Sequence, residues 1–146
     1  MKYLRFIAAA LVLIAATSCL TLEDPVPSAK AITKEATNIS LDGFTLNGEV
    51  EYEGSTAYVA DGGVFFSSKP NVSEKQYILS SATVTLSKGK TKLSKDVKNY
   101  MDMPGVKRYY IAAGGTCYYR AYVRIFGDGT DKYILGEEKS FVVPAE

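Results

Sequence analysis

The stretch CYYRAYVRIF, residues 117–126, alternates without a slip. Cys117, Tyr119, Ala121, Val123 and Ile125 fall on one side of an extended chain, and Tyr118, Arg120, Tyr122, Arg124 and Phe126 fall on the other. Successive side chains of an extended chain point to opposite faces, so this period of two predicts a half-buried strand in an antiparallel sheet. Cys117 and Tyr119 are thereby directed inward. Cys117 reads as a small core residue, and the Tyr119 hydroxyl needs a local backbone partner. Gly127-Asp128-Gly129 marks the next turn, and KYILGEEKSFVV, residues 132–143, supplies a last strand.

The same period recurs upstream. In GFTLNGEVEY, residues 43–52, Phe44, Leu46, Gly48, Val50 and Tyr52 share one face. YVADGGVFFSS, residues 58–68, is another strand, whose Gly62-Gly63 pair predicts a bulge or a close backbone approach before the Lys69-Pro70-Asn71 turn. TVTLS, residues 83–87, alternates again, whereas the basic segment 88–105 reads as an elaborated hairpin or a surface loop. No stretch carries a helical stripe. About seven short strands punctuated by turns predict an all-β fold, an antiparallel β-sandwich.

Composition sets bounds on function. The 146 residues include 11 tyrosines and 12 glycines but no histidine or tryptophan, and the formal net charge is +1. Removing residues 1–18 takes away Lys2 and Arg5 and leaves −1, so the chain lacks the basic excess of a nucleic-acid binder. Without histidine, Ser-His-Asp and Cys-His mechanisms are excluded. Asp61, Asp102, Glu137 and Glu138 are acids with no spacing that selects a catalytic pair, and Glu137 and Glu138 fall on opposite faces of a regular strand. The expectation is a non-catalytic protein with no cofactor and no metal; GDGTD, residues 127–131, lacks the further acidic positions of a calcium loop.

The amino terminus, MKYLRFIAAALVLIAATSC, places Lys2 and Arg5 before an uncharged run and small residues before Cys19. That is the layout of a secretory signal peptide, and its apolar run is shorter than the roughly 20 residues a membrane span needs. Cys19 is left with two fates, a disulfide with Cys117 or chemical modification. Residues 20–30, with Pro25 and Pro27, read as a tether.

AATSC, residues 15–19, resembles a bacterial lipobox, with Ala16 where leucine is commonest. The resemblance implies cleavage before Cys19, lipidation of its thiol, and a membrane contact through that anchor. Several acyl chains at about 0.8 kcal/mol per buried methylene hold a protein stably. Glu23 and Asp24 resemble the acidic signals of surface-exported lipoproteins of Bacteroidetes-type bacteria. Three further segments, ATNISLDGFTLNGEV, VADGGVFFSSKPNVS and GGTCYYRAYV followed by LGEEKSF, together resemble the fibronectin type III-like, immunoglobulin-like modules of such proteins. The organisation implied is a signal peptide at 1–18, a lipidated Cys19 and tether at 19–30, and one domain at 31–146. An outer-membrane lipoprotein is implied, one whose module binds a partner in the envelope or serves as a spacer; the alternative is a carbohydrate-binding accessory of a polysaccharide uptake system.

Two surfaces are candidates for that binding. Tyr118, Arg120, Tyr122 and Arg124 form one outward face, and aromatic and arginine side chains are enriched where binding energy concentrates. Lys88, Lys90, Lys92, Lys95 and Lys98 form a basic patch suited to an anionic glycan, headgroup or protein. Charged edges that resist aggregation look the same in sequence.

Overall fold

The computed structural model describes residues 28–74, 81–127 and 129–145. Cys19, the signal peptide and most of the tether lie outside the described residues. Ten strand segments follow one another: β1 (Ala29–Thr33), β2 (Gly43–Tyr52), β3 (Tyr58–Ser67), β4 (Ser81–Leu86), β5 (Gly89–Lys98), β6 (Tyr100–Met103), β7 (Val106–Tyr109), β8 (Thr116–Gly127), β9 (Thr130–Leu135) and β10 (Lys139–Val142). A three-stranded sheet, β1-β2-β5, packs against a larger one ordered β10-β8-β3-β4, in which β9 also pairs with β8. All pairings are antiparallel. The protein is an all-β sandwich.

The segment count exceeds the expected seven for two reasons. The first is a bulge. β9 and β10 run along the same side of β8, with Leu135 opposite Tyr122 and Lys139 opposite Tyr119, so Gly136, Glu137 and Glu138 face only Arg120 and Ala121. One extra residue there splits a single edge strand in two. The second is a separate two-stranded ribbon, β6-β7, inserted between β5 and β8. Segment 88–105 is a hairpin only in its last part, where residues 100–105 supply the first strand and the turn of the ribbon; its first part, β5, pairs with all ten residues of β2.

The core follows the alternation. Every second residue of β2, from Phe44 to Tyr52, is buried. One cluster joins Phe44, Leu46, Val64, Phe66, Ile111, Cys117, Tyr119 and Val143. Phe44 sits edge-on to Phe66 and Phe141, with centroids 5.5 and 5.0 Å away, an arrangement worth about 0.5–1.5 kcal/mol beyond area burial. A second cluster, Ala31, Val50, Tyr52, Ala60, Leu86, Leu93 and Val123, fills the other end. Glycines set the spacing between the sheets. A Cβ on Gly48 would stand 2.8 Å from the Ala121 Cβ, and one on Gly62 would stand 3.0 Å from Leu93 and 3.1 Å from Val84. Gly62-Gly63 is therefore a close approach and not a bulge, since the pairing of β3 with β8 runs through it unbroken.

Three buried polar side chains pin the sheets. The Tyr119 hydroxyl donates to Lys34 O (3.1 Å) and accepts from Ala36 N (2.9 Å). These partners lie 85 and 83 residues away in sequence, so the expected local partner is replaced by one across the fold. Thr33 Oγ1 donates to Glu137 O at 2.5 Å and accepts from Ala121 N at 3.0 Å, which fastens the end of β1 into the bulge. Asn99, fully buried between β5 and β6, donates through Nδ2 to Leu41 O and Ile111 O and accepts from Ile111 N.

The sandwich has two distinct poles. Ala29, Tyr52 and Gly89 lie in one row at the first. Gly43 and Lys98 end the same sheet at the second, where Phe141 and Val143 pack on Phe44 and where the β6-β7 ribbon departs.

Candidate binding surfaces

The outer face of β8 is not the open platform that alternation implied. Tyr122 is 2% exposed. It lies in a third apolar cluster with Phe65 and Val72, against which Tyr118, Tyr133 and Leu135 pack. The rings of Phe65 and Tyr122 are stacked, 3.9 Å apart and 4° from parallel. Chain geometry causes this: the Pro70-Asn71 turn, with Asn71 at φ 65°, brings Val72 back over the sheet, and Val72 N donates to Glu138 Oε2 at 2.8 Å. Alternation reports which side of a strand a residue occupies; it is silent about a connection that folds over that side.

Arg124 is also taken up internally. Its Nε and Nη2 grip both oxygens of Asp131 at 2.8 and 2.9 Å, and its guanidinium lies 5.4 Å from the Tyr133 centroid and 5.7 Å from that of Phe126. The hydrogen bonds to Arg124 hold the Asp131 carboxyl below its usual range, and the same bonds raise the arginine further. Asp131, a member of the calcium-like GDGTD, is thereby committed to an ion pair. Among the described residues no group of three acids or thiols converges on a metal position. Glu137 and Glu138, predicted to lie across a strand from each other, instead occupy the bulge, where Glu137 meets Lys139 at 3.6 Å.

Two members of the predicted face remain. Tyr118 is half-buried beside the third cluster. Arg120, opposite Phe65 on β3, has its Nε buried without a hydrogen-bond partner, and no ion pair to it forms among the described residues.

The lysines do not form a uniform basic patch. Lys90 and Lys92 sit directly opposite Glu51 and Glu49 of β2, and Lys90 Nζ lies 3.4 Å from Glu49 Oε1, with Lys34 at 3.8 Å on the same oxygen. Asp96 stands between Lys95 and Lys98 and accepts from Thr45 Oγ1 at 2.6 Å. Lys88 lies ahead of β5, and Lys95 has the opposite parity to Lys90, Lys92 and Lys98. Opposite charges thus interleave across β2 and β5.

Among the described residues, three exposed large apolar side chains share one face of a ribbon that the sequence pattern did not single out. In the β6-β7 ribbon, Tyr100 pairs with Tyr109, Met101 with Arg108, Asp102 with Lys107 and Met103 with Val106. Pro104-Gly105 makes the turn, with Gly105 at φ 77° as a type II turn favours. One face docks on the body. Lys107 Nζ contacts Asp42 Oδ2 at 3.0 Å, the Tyr109 hydroxyl donates to Asp42 Oδ1 at 2.9 Å, and Lys107 stands 4.3 Å from the Tyr100 centroid. Those hydrogen bonds hold the Asp42 carboxyl below its usual range and push Lys107 and Tyr109 up. The other face leaves Met101, Met103 and Val106 at 50, 47 and 64% exposure, with Arg108 among them. Beside it is a hollow lined by Met101, Arg108, Tyr109 and Tyr110. Pro104-Gly105 between two short strand-like runs was the available signal.

No family model matches the sequence. A comparison with curated proteins likewise gives no match. Among solved structures, the chain is similar to a DUF3823 family protein from Bacteroides uniformis, with TM-score 0.50 and 14% identity over 82% of this chain. The chain spans 57% of that protein's length. Weaker likenesses are a β-glucosidase from Kluyveromyces marxianus (TM-score 0.49, 16% identity, 80% of this chain and 14% of that one) and one from Listeria innocua (TM-score 0.43, 10% identity, 76% and 16%). At these identities what is shared is the β-sandwich.

Proposed function

We propose that this chain is a lipid-anchored, non-catalytic envelope protein whose sandwich, a fibronectin type III-like module, presents a binding surface away from the membrane. The observation that carries this reading is polarity. β1 begins at the pole opposite the β6-β7 ribbon, so a tether entering at Ala29 leaves Met101, Met103 and Val106 pointing away from its membrane. Burial of Cys117 within the core supports lipidation over a disulfide as the fate of Cys19, and the lipobox-like AATSC with its acidic followers supports an outer-membrane address.

The test is mass spectrometry of the mature protein made in a bacterium that processes lipoproteins. A diacylglyceryl group on an N-terminal Cys19, lost in Cys19→Ala, is expected. An unmodified Cys19, or one bonded to Cys117, overturns the anchor. For polarity, a fluorophore on Met103→Cys is expected to lie farther from the bilayer of proteoliposomes than one on Glu53→Cys; the reverse order overturns it.

A carbohydrate-binding accessory is the second reading, favoured by the uncommitted Arg120 beside Tyr118. With Tyr122 stacked on Phe65, any sugar contact there falls to Tyr118 and Arg120, and a glycan array showing no binding removes this reading.

A further inference from the structure

Arg120 carries a charge that the fold does not use. Among the described residues, its strand neighbour Arg124 is paired with Asp131, and Lys139 at the bulge is paired with Glu35 and Glu137. Arg120 has none, although Glu138 lies in the adjoining bulge, because Glu138 is turned to Val72 N. Natural proteins pair all but a few of their buried polar groups, and a buried donor left unpaired is costly. Arg120 is only half-buried while its Nε is sealed without a partner, and we take the terminal edge, Nη1 and Nη2, as the part a ligand meets. That edge offers parallel N–H donors spaced for the two oxygens of a carboxylate.

We propose that Arg120 is the carboxylate-reading residue of a site for acidic sugars, uronate-bearing polysaccharides in particular. The inference rests on the carbohydrate reading above and names its ligand class. A single uncommitted guanidinium suits one negative charge per unit better than the multiple charges of phosphate or sulfate polymers. Tyr118, two residues away on the same face and only half-buried, supplies a ring for the apolar side of a pyranose. An acidic peptide would use the arginine but has no sugar ring to lay on Tyr118.

The experiment is native affinity electrophoresis of the detergent-solubilised full chain in gels containing polygalacturonate, a neutral galactan or poly-L-glutamate. Retardation by polygalacturonate alone is expected. Arg120→Met weakens it about tenfold, the scale of one charge-assisted contact, and Tyr118→Ala weakens it as well, while Lys30→Gln, at an exposed position of β1, leaves it unchanged. Thermal melts confirm that each variant is folded; if Arg120→Met is not, Arg120→Lys, which keeps the charge and loses the fork, is read instead and is expected to weaken binding. No retardation by polygalacturonate, or equal retardation of the arginine variants, overturns the proposal. Equal retardation by poly-L-glutamate overturns it in favour of a peptide ligand. Binding of the galactan alone overturns the acidic-sugar inference while sparing the carbohydrate reading.

Discussion

Asn99 has every polar atom of its side chain in use: two donors on Nδ2, one acceptor on Oδ1, all within 2.8–2.9 Å. Its backbone is occupied too, accepting from Tyr110 N and donating to Asp42 O. Asn99→Ala would strand Leu41 O and both backbone groups of Ile111 in the core, so a loss of about 3 kcal/mol is expected. A urea melt checks this, and a change below about 1 kcal/mol contradicts the pin. Cys117 gives a second prediction. Burial pushes its thiol up to about 12, and the thiolate is the reactive form. A thiol reagent at pH 8 should therefore leave Cys117 untouched in the native protein and modify it in denaturant. Alternation placed both Cys117 and Tyr119 inward correctly. The hydrogen-bond partners were illegible because Lys34 and Ala36 approach Tyr119 only after the sheets have packed.

At the scale of the elements, legibility tracked one-sided burial. β2 alternates in sequence and in burial alike. β5 escaped recognition because it is an edge strand: only Leu93 is buried among its ten residues, and lysines occupy both parities. The close passage of β2 over β8 yields a test. Gly48→Val would drive its side chain into Ala121, and overpacking of this kind costs about 1–3 kcal/mol; an unshifted thermal midpoint would contradict the spacing. The ribbon yields a test in pH. Asp42 is lowered in the folded protein, so the stabilisation it gives is complete above its unfolded pKa of about 4 and is lost as pH falls through the lower folded value. Tyr109 is raised, so its share is complete below about 10 and is lost as pH climbs through the higher folded value. Protection of the β6 and β7 amides, their exchange relative to the intrinsic rate at each pH, should fall at both ends of that window, and Asp42→Asn should reproduce the acid loss at pH 6. Protection that stays level below pH 4 would contradict the clamp.

For the whole molecule, the sandwich was readable because antiparallel strands with one dry face write their geometry into the sequence as period two. The candidate surface was readable only in part. Tyr122 and Arg124 are indistinguishable from Tyr118 and Arg120 in a one-dimensional pattern; the Val72 loop and Asp131 separate them. The arrangement of the two poles has a mechanical consequence. β1 emerges at one end of the sandwich paired antiparallel with β2, and β10 emerges at the other paired antiparallel with β8. A pull applied between Ala29 and Val142 runs along both terminal strands, so their interstrand bonds are loaded together in shear rather than opened one after another. Forced extension should therefore show one high-force rupture, and Thr33→Val, which removes the lock on β1, should lower it. Resistance to being pulled apart lengthwise thus comes from the topology itself.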